Sequence, residues 1–391
     1  MSKLCTDIGY YSLNKAGEQL CGDRIDVIES EDGGTITAVL ADGLGSGVKA
    51  CILSTLTSKI ISTLMANGMS LEDCVETIAA TLPVCAVRGV AYSTFTIVRI
   101  VGNREAELIQ FDNPHVILLR RGQRFSYPEE EKTIGGKKIY HTRILLEEGD
   151  VFVAMSDGVV HAGVGVSLSF GWLRENVMAF LEKMYQPDLA AKTYASLLLN
   201  QCSRLYANQP GDDTTALVVK VRQRQPVSLM IGPPRNPADL ADMHHRFFAE
   251  AGKHIICGGT TARLAADYLG KTVSTCALYS DPDIPPIAAI DGVDLVTEGV
   301  ITFNRVLEYA KDYLADSTRC ADWSCKRDGA SLIAHTLFEQ ATDIHFYVGR
   351  AVNPAHQNPH LSISFNIKMR LVEELAACLK KMGKRVLVTR Y

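Results

Sequence analysis

The chain has 391 residues, 47% of them hydrophobic and 21% charged, with a formal net charge of −4. That is the balance of a folded globular protein and excludes long disordered stretches, while the absence of a basic cluster excludes a nucleic-acid footprint. The length exceeds one ordinary core, so two domains are expected. The opening residues, Met1 to Asp7, lack the apolar stretch of a signal peptide. No uncharged apolar run reaches the ~18 residues that cross a bilayer, so a cytoplasmic protein without membrane contact is expected. The eleven cysteines are scattered and odd in number, which predicts buried thiols rather than a disulfide framework. Cys320 and Cys325, in a polar stretch with Trp323, are the one pair with spacing suited to a metal or redox role.

In chain order, residues 4–13, 24–30 and 35–41 read as strands, followed by a helix over 48–66 that ends at Asn67-Gly68. Ser70 caps the next helix, with Asp73 at the reciprocal position. Strands are expected at 92–101, 106–111 and 115–120, then a polar, turn-rich stretch over 124–148. The apolar run Val151–Met155 and a helical region over about 172–205, divided at Pro187-Asp188, complete this half with the strand Ala216–Val221. Gln223-Arg224-Gln225-Pro226 is the best linker. Beyond it, strands near 227–231, 254–257, 273–278, 293–297, 344–348 and 385–389 alternate with helices near 237–251, 260–269, 302–315, 329–341 and 366–382. Such alternation predicts an α/β layer with a largely parallel sheet.

Chemistry concentrates in short acidic motifs: Gly22-Asp23, Asp42-Gly43-Leu44-Gly45-Ser46-Gly47, Ser156-Asp157-Gly158 and Gly211-Asp212-Asp213-Thr214-Thr215. Three of them adjoin apolar, strand-like runs. Carboxylates gathered on one sheet edge repel and raise one another's pKa, and hard divalent cations relieve this. Mg²⁺ and Mn²⁺ take such oxygen ligands, and a pair about 3.5–4 Å apart activates water and clamps a phosphoryl group.

These motifs, with Phe111-Asp112-Asn113-Pro114 between the second and third, resemble the metal-dependent protein phosphatase 2C superfamily, in its bacterial branch typified by stage II sporulation protein E. The resemblance covers residues 1–222 and implies an α–β–β–α phosphatase sandwich there, followed by a smaller α/β layered domain over 227–391. The fold class is thus α/β and α+β. The resemblance also implies two Mn²⁺ or Mg²⁺ ions. Asp42 would bridge them with the Gly43 carbonyl beside it, Asp157 and Asp212 would complete one position, and Asp23 would serve the other. Between the adjacent Asp212 and Asp213, the former is favoured as ligand. The implied reaction is hydrolysis of a phosphoserine or phosphothreonine by water activated between the metals, without a phosphoenzyme. Arg24 is the nearest candidate for the phosphate-holding arginine of the eukaryotic branch, and a surface ion pair is an equal reading of it. The implied substrate is a cytoplasmic regulatory phosphoprotein of the anti-sigma-antagonist kind. The helices after the second motif are, by the same resemblance, a regulatory element. A catalytically weak regulatory protein is the alternative.

In the second half, the strand 254–257 runs through Gly258-Gly259-Thr260-Thr261 into a helix, a turn that exposes N–H groups at a helix N-terminus and suits a small anion. With Ile290-Asp291-Gly292-Val293-Asp294 it is faintly similar to sugar-phosphate-sensing effector domains. A tight turn with a threonine cap is the plainer reading. The adjacent His244 and His245 point about 100° apart on a helix and are expected on the surface or as caps. Pro354–His360 reads as a loop.

Overall fold

The computed structural model describes residues 4–30, 34–81, 93–134, 136–275, 284–315, 321–351 and 363–391. The chain divides into two compact units, Met1–Gln223 and Arg224–Tyr391.

The first unit holds two antiparallel sheets. The first sheet orders β1 (Leu4–Leu13), β11 (Thr214–Gln223), β10 (Asp150–Met155), β6 (Ile117–Arg120) and β7 (Gln123–Arg124). The second orders β2 (Asp23–Glu29), β3 (Thr35–Gly43), β4 (Ser93–Val101), β5 (Glu105–Phe111), β9 (Lys137–Leu145) and β8 (Glu130–Ile134). Strand alternation sends Ala38 and Leu40 of β3 and Leu217 and Val219 of β11 into one shared core between the sheets. On the outer face of the second sheet, Val39, Phe95 and Ile97 pack under α1 (Gly47–Ala66) and α2 (Leu71–Thr81) through Ile61, Met65 and Val75. On the outer face of the first, Val151, Val153 and Val218 pack against α4 (Arg174–Met184) and α5 (Ala191–Leu205) through Val177, Leu181 and Leu198. A short α3 (Asp157–Val160) follows β10. The layers are therefore α–β–β–α. Because the central strands are covered on both faces, they read as continuous apolar runs rather than alternating ones.

By length and composition α1 could cross a membrane. Here its Ala50, Leu53, Thr57, Ile61 and Met65 are buried in this unit. The Ser70 cap of α2 forms: its Oγ accepts from the Asp73 N–H at 3.1 Å and donates to Asp73 Oδ2 at 2.6 Å.

The stretch 124–148 is not merely turns, because β8 and β9 form a hairpin on the edge of the second sheet. The sequence hides β9 because its two anchors, Ile139 and Ile144, face opposite cores and leave no period-two pattern. The strand expected from 92 is described from Ser93, residue 92 lying outside the described residues.

The second unit is built on a sheet ordered β14 (Ser274–Thr275), β15 (Ala288–Ala289), β16 (Leu295–Thr297), β13 (Lys253–Cys257), β12 (Pro226–Ile231), β17 (Asp343–Val348) and β18 (Arg385–Arg390). The five strands from β16 to β18 are parallel. The chain moves outward from β12 to β13 and β16, then returns to lay β17 and β18 on the other side of β12, so the winding reverses between β12 and β17. One face is covered by α8 (Val300–Ala315), α10 (Gly329–Ala334) and α11 (Ile363–Lys381), the other by α6 (Leu240–Ala249) and α7 (Gly259–Leu269). A short α9 (Ala321–Ser324) inserts Trp323 into the first of these cores.

Three expectations need correction here. The helix expected over 329–341 changes pitch, continuing past α10 as a π-helical segment, His335–Gln340. The strand expected at 273–278 is described only as Ser274–Thr275, residues 276–278 lying outside the described residues. His244 is not a surface residue: it is 1% exposed, stacks on Tyr268 at 5.2 Å, and is kept neutral by burial, because α6 turns residues 243, 244 and 247 inward. Cys320 and the Pro354–His360 loop lie outside the described residues, and Cys325 is exposed.

Candidate active site

The four acidic motifs meet at one end of the first unit's sandwich. Asp23 at the start of β2 and Asp42 near the end of β3 are direct cross-strand partners. Both share the parity of Ile25 and Leu40 and so face the space between the sheets. Across that space, Asp157 opens α3 at the end of β10, and Asp212 and Asp213 lead into β11, the neighbour of β10.

One hydroxyl stitches the two sheets at this end. Ser156 Oγ donates to Asp23 Oδ2 at 2.7 Å and accepts from the Thr215 N–H at 2.9 Å. Asp213 Oδ1 accepts from the Lys15 N–H at 3.0 Å. Among the described residues, Asp23 Oδ1 and Asp213 Oδ2 are buried with no hydrogen-bond partner. Burial, reinforced by the neighbouring carboxylates, holds Asp23 and Asp42 well above the usual carboxylate range and raises Asp212 in the same direction. Asp42 feels Asp23, Asp157 and Asp212, whereas Asp23 feels Asp213 and Asp157.

The glycines of the motifs are explained by close approach. A Cβ on Gly43 would stand 2.1 Å from the Ala50 carbonyl oxygen, and one on Gly158 would stand 2.2 Å from that of Asp213. A Cβ on Gly22 would stand 2.7 Å from Asp213 Oδ2. Gly22 and Gly158 let their segments lie against the one bearing Asp213, and Gly43 lets the end of β3 lie against α1. The Asn113 of the Phe-Asp-Asn-Pro stretch is likewise structural. Its Oδ1 accepts from Thr94 Oγ1 at 2.5 Å and its amide donates to Thr96 Oγ1 at 3.2 Å, fixing the strand whose Thr94 pairs with Asp42.

Residues 32–222 match the family model described as Stage II sporulation protein E (SpoIIE). The match lies within the first unit, which is therefore similar to this family. Stage II sporulation protein E of Bacillus subtilis (strain 168) is 22% identical over 216 residues, which are 54% of this chain and 25% of that protein. The chain thus spans about a quarter of the length of this curated relative. Among solved structures, the phosphatase 2C domain of the B. subtilis protein with a fragment of its regulatory domain matches with a TM-score of 0.49 and 20% identity, over 57% of this chain and 65% of that one. RsbX in complex with magnesium matches with a TM-score of 0.40 and 20% identity, over 55% of this chain and 95% of that one.

The donor set of this SpoIIE-like unit fits hard divalent cations. It consists of carboxylate and carbonyl oxygens, two of them buried and without a hydrogen-bond partner among the described residues. Among the described residues no three His, Cys, Asp or Glu side chains are gathered as ligands of a single ion. Asp157, with its side chain 48% exposed and His161 Nδ1 3.9 Å from its Oδ2, is the least anchored of the acids. The residues that would hold Mg²⁺ or Mn²⁺ are Asp42, the Gly43 carbonyl, Asp157 and Asp212, with Asp23 at a second position and Asp213 beside Asp212.

Sequence reasoning missed three supporting groups. Ser156 was in view, inside a motif, but its link to Asp23 is a contact across 133 positions. Tyr206, whose hydroxyl donates to the Gly158 carbonyl at 2.8 Å, and Lys15, whose N–H meets Asp213, carry no local signal. Arg24 is exposed, and strand alternation places it on the α1 side of its sheet, away from Asp23.

In the second unit, Gly258 caps α7 with φ of 111°, and Gly259 and Thr260 are exposed. Thr261 is buried, and its Oγ1 accepts from the Gly232 N–H at 3.0 Å, pinning the end of β12.

Proposed function

We propose that the SpoIIE-like unit is a metal-dependent serine/threonine phosphoprotein phosphatase acting on a cytoplasmic regulatory phosphoprotein. The observation that carries this reading is the meeting of Asp23, Asp42, Asp157, Asp212 and Asp213 at one edge, with Asp23 Oδ1 and Asp213 Oδ2 buried and without a hydrogen-bond partner among the described residues. A stable fold does not retain such a cluster without a counter-charge. Divalent cations bound there would supply an activated water and neutralise the phosphoryl oxygens.

The chain's own residues would do the rest. Ser156 and Thr215 hold Asp23, Lys15 holds Asp213, and Tyr206 holds the turn that presents Asp157. With Arg24 turned away, the phosphate would be held chiefly by the cations, and protein contacts would select the substrate. That substrate fits the anti-sigma-antagonist class by family resemblance. The test is hydrolysis of a phosphoserine protein against Mn²⁺ concentration: activity that requires Mn²⁺ and is abolished by chelation supports the reading, and a chain inert at saturating Mn²⁺ refutes it.

A further inference from the structure

The winding of the second unit reverses between β12 and β17, whose connections leave in opposite directions, the place where an open parallel sheet forms a crevice at its carboxyl ends. In open parallel sheets such a crevice is where ligands lodge. Here each of four neighbouring strands runs out at its carboxyl end into a glycine: Gly232 after β12, Gly258 after β13, Gly299 two residues beyond β16 and Gly349 after β17. They are packed backbone to backbone. A Cβ on Gly349 would stand 2.2 Å from the Gly232 carbonyl oxygen, and one on Gly299 would stand 3.4 Å from the Gly258 Cα.

Into this collar projects Lys368 from α11. The residue is only 9% exposed, and its Nζ donates to the Gly349 carbonyl and lies where a Cβ on Gly232 would be met at 2.4 Å. Among the described residues the ammonium has this one hydrogen-bond acceptor and no carboxylate within 4 Å. Burial lowers its pKa accordingly. Burying an ammonium without a counter-charge is costly unless something else supplies one. Glu298, at the end of β16, folds back onto the Gly299 N–H instead.

The same Gly232 that touches Lys368 gives its N–H to Thr261 in the first turn of α7. That helix has 11 residues, begins at Gly259, and has no side-chain cap. Its first N–H groups and positive dipole end therefore open beside the buried ammonium.

We propose that the second unit binds a phosphate or phosphomonoester in this crevice, held by Lys368 Nζ and the first-turn N–H groups of α7. The site goes beyond the phosphatase reading and is independent of it. The ligand supplies a counter-charge to Lys368 and the missing cap to α7, and Gly259, where a Cβ would meet nothing within 4 Å, leaves room beside the backbone. Thr261 holds the loop rather than the ligand.

The test is calorimetric titration of the full chain with inorganic phosphate in the presence of a chelator, so that the acidic site of the first unit contributes no metal-bound phosphate. Lys368→Gln should weaken binding at least about tenfold. Gly259→Pro provides the second arm, because proline is accepted at the first helical position and removes one N–H donor. It should weaken binding while leaving the melting temperature unchanged. Absence of saturable binding up to the order of 10 mM phosphate, or binding unaffected by both substitutions in folded protein, would overturn the proposal.

Discussion

Ser156 and Asp23 join the two sheets of the first unit through a 2.7 Å hydrogen bond between residues 133 positions apart. The serine belongs to the first sheet, the aspartate to the second, and the same Oγ takes the Thr215 N–H. Ser156→Ala would free Asp23 Oδ2 and strand a buried N–H. Expected effects are a loss of about 1–3 kcal/mol in stability and a fall of about 10–100-fold in Mn²⁺ affinity or phosphatase turnover. Denaturant unfolding and a metal titration on the same preparation check both.

Gly43→Ala and Gly158→Ala would each drive a Cβ into a backbone carbonyl, at 2.1 and 2.2 Å, which cannot move as a side-chain tip can. Each should cost about 1–3 kcal/mol and disturb the acid beside it. Gly211→Ala, also in an acidic motif, meets nothing closer than Tyr206 Cε1 at 3.5 Å and should be tolerated. Thermal denaturation of the three variants separates glycines required by packing from one that merely neighbours an acid.

Glu107 sits on the outer face of the second sheet, its side chain 8% exposed, with His141, Arg99 and Arg143 around it at 2.9, 3.1 and 3.1 Å. Burial alone would raise its pKa, but the three hydrogen bonds outweigh it and the folded value is lowered. Stability from this group is therefore present above the unfolded glutamate pKa and is lost as pH falls through the folded one. Glu107→Gln should cost about 1.5–3 kcal/mol at neutral pH, and the gap to wild type should close on acidification. Unfolding free energies across the acid range read this directly.

Trp323 of the second unit is 1% exposed, edge-on to Phe338 at 5.4 Å and Tyr313 at 5.9 Å, with its indole N–H buried and without a partner among the described residues. Trp323→Ala should cost about 3–5 kcal/mol. Trp323→Phe should cost far less than the alanine, since no hydrogen bond is lost. Equilibrium unfolding followed by circular dichroism, which does not depend on the tryptophan, gives the comparison.

What could be read from the sequence follows from how local each determinant is. Strands covered on both faces, such as Thr35–Gly43 and Thr214–Gln223, announce themselves by apolar runs at 38–41 and 216–219, and the acids at their ends are visible beside them. The Ser70–Asp73 cap is a three-residue signal and could be placed without a structure. The β8–β9 hairpin could not, since Ile139 and Ile144 serve different cores. Neither could the roles of Ser156, Tyr206 and Lys368, each defined by a partner far away in sequence or by the sheet order, which strand patterns do not encode. His244 was misjudged because a histidine pair looks polar, while the helix phase that buries one of them is set by Met243 and Phe247.

The most direct test of the central claim is a paired measurement on the full chain and on Asp42→Ala: Mn²⁺ binding by calorimetry and Mn²⁺-dependent turnover of a phosphoserine substrate. The account predicts saturable Mn²⁺ binding and turnover in the wild type, both lost in a folded Asp42→Ala. Turnover that survives the substitution, or a wild type that neither binds Mn²⁺ nor hydrolyses the substrate, would contradict it.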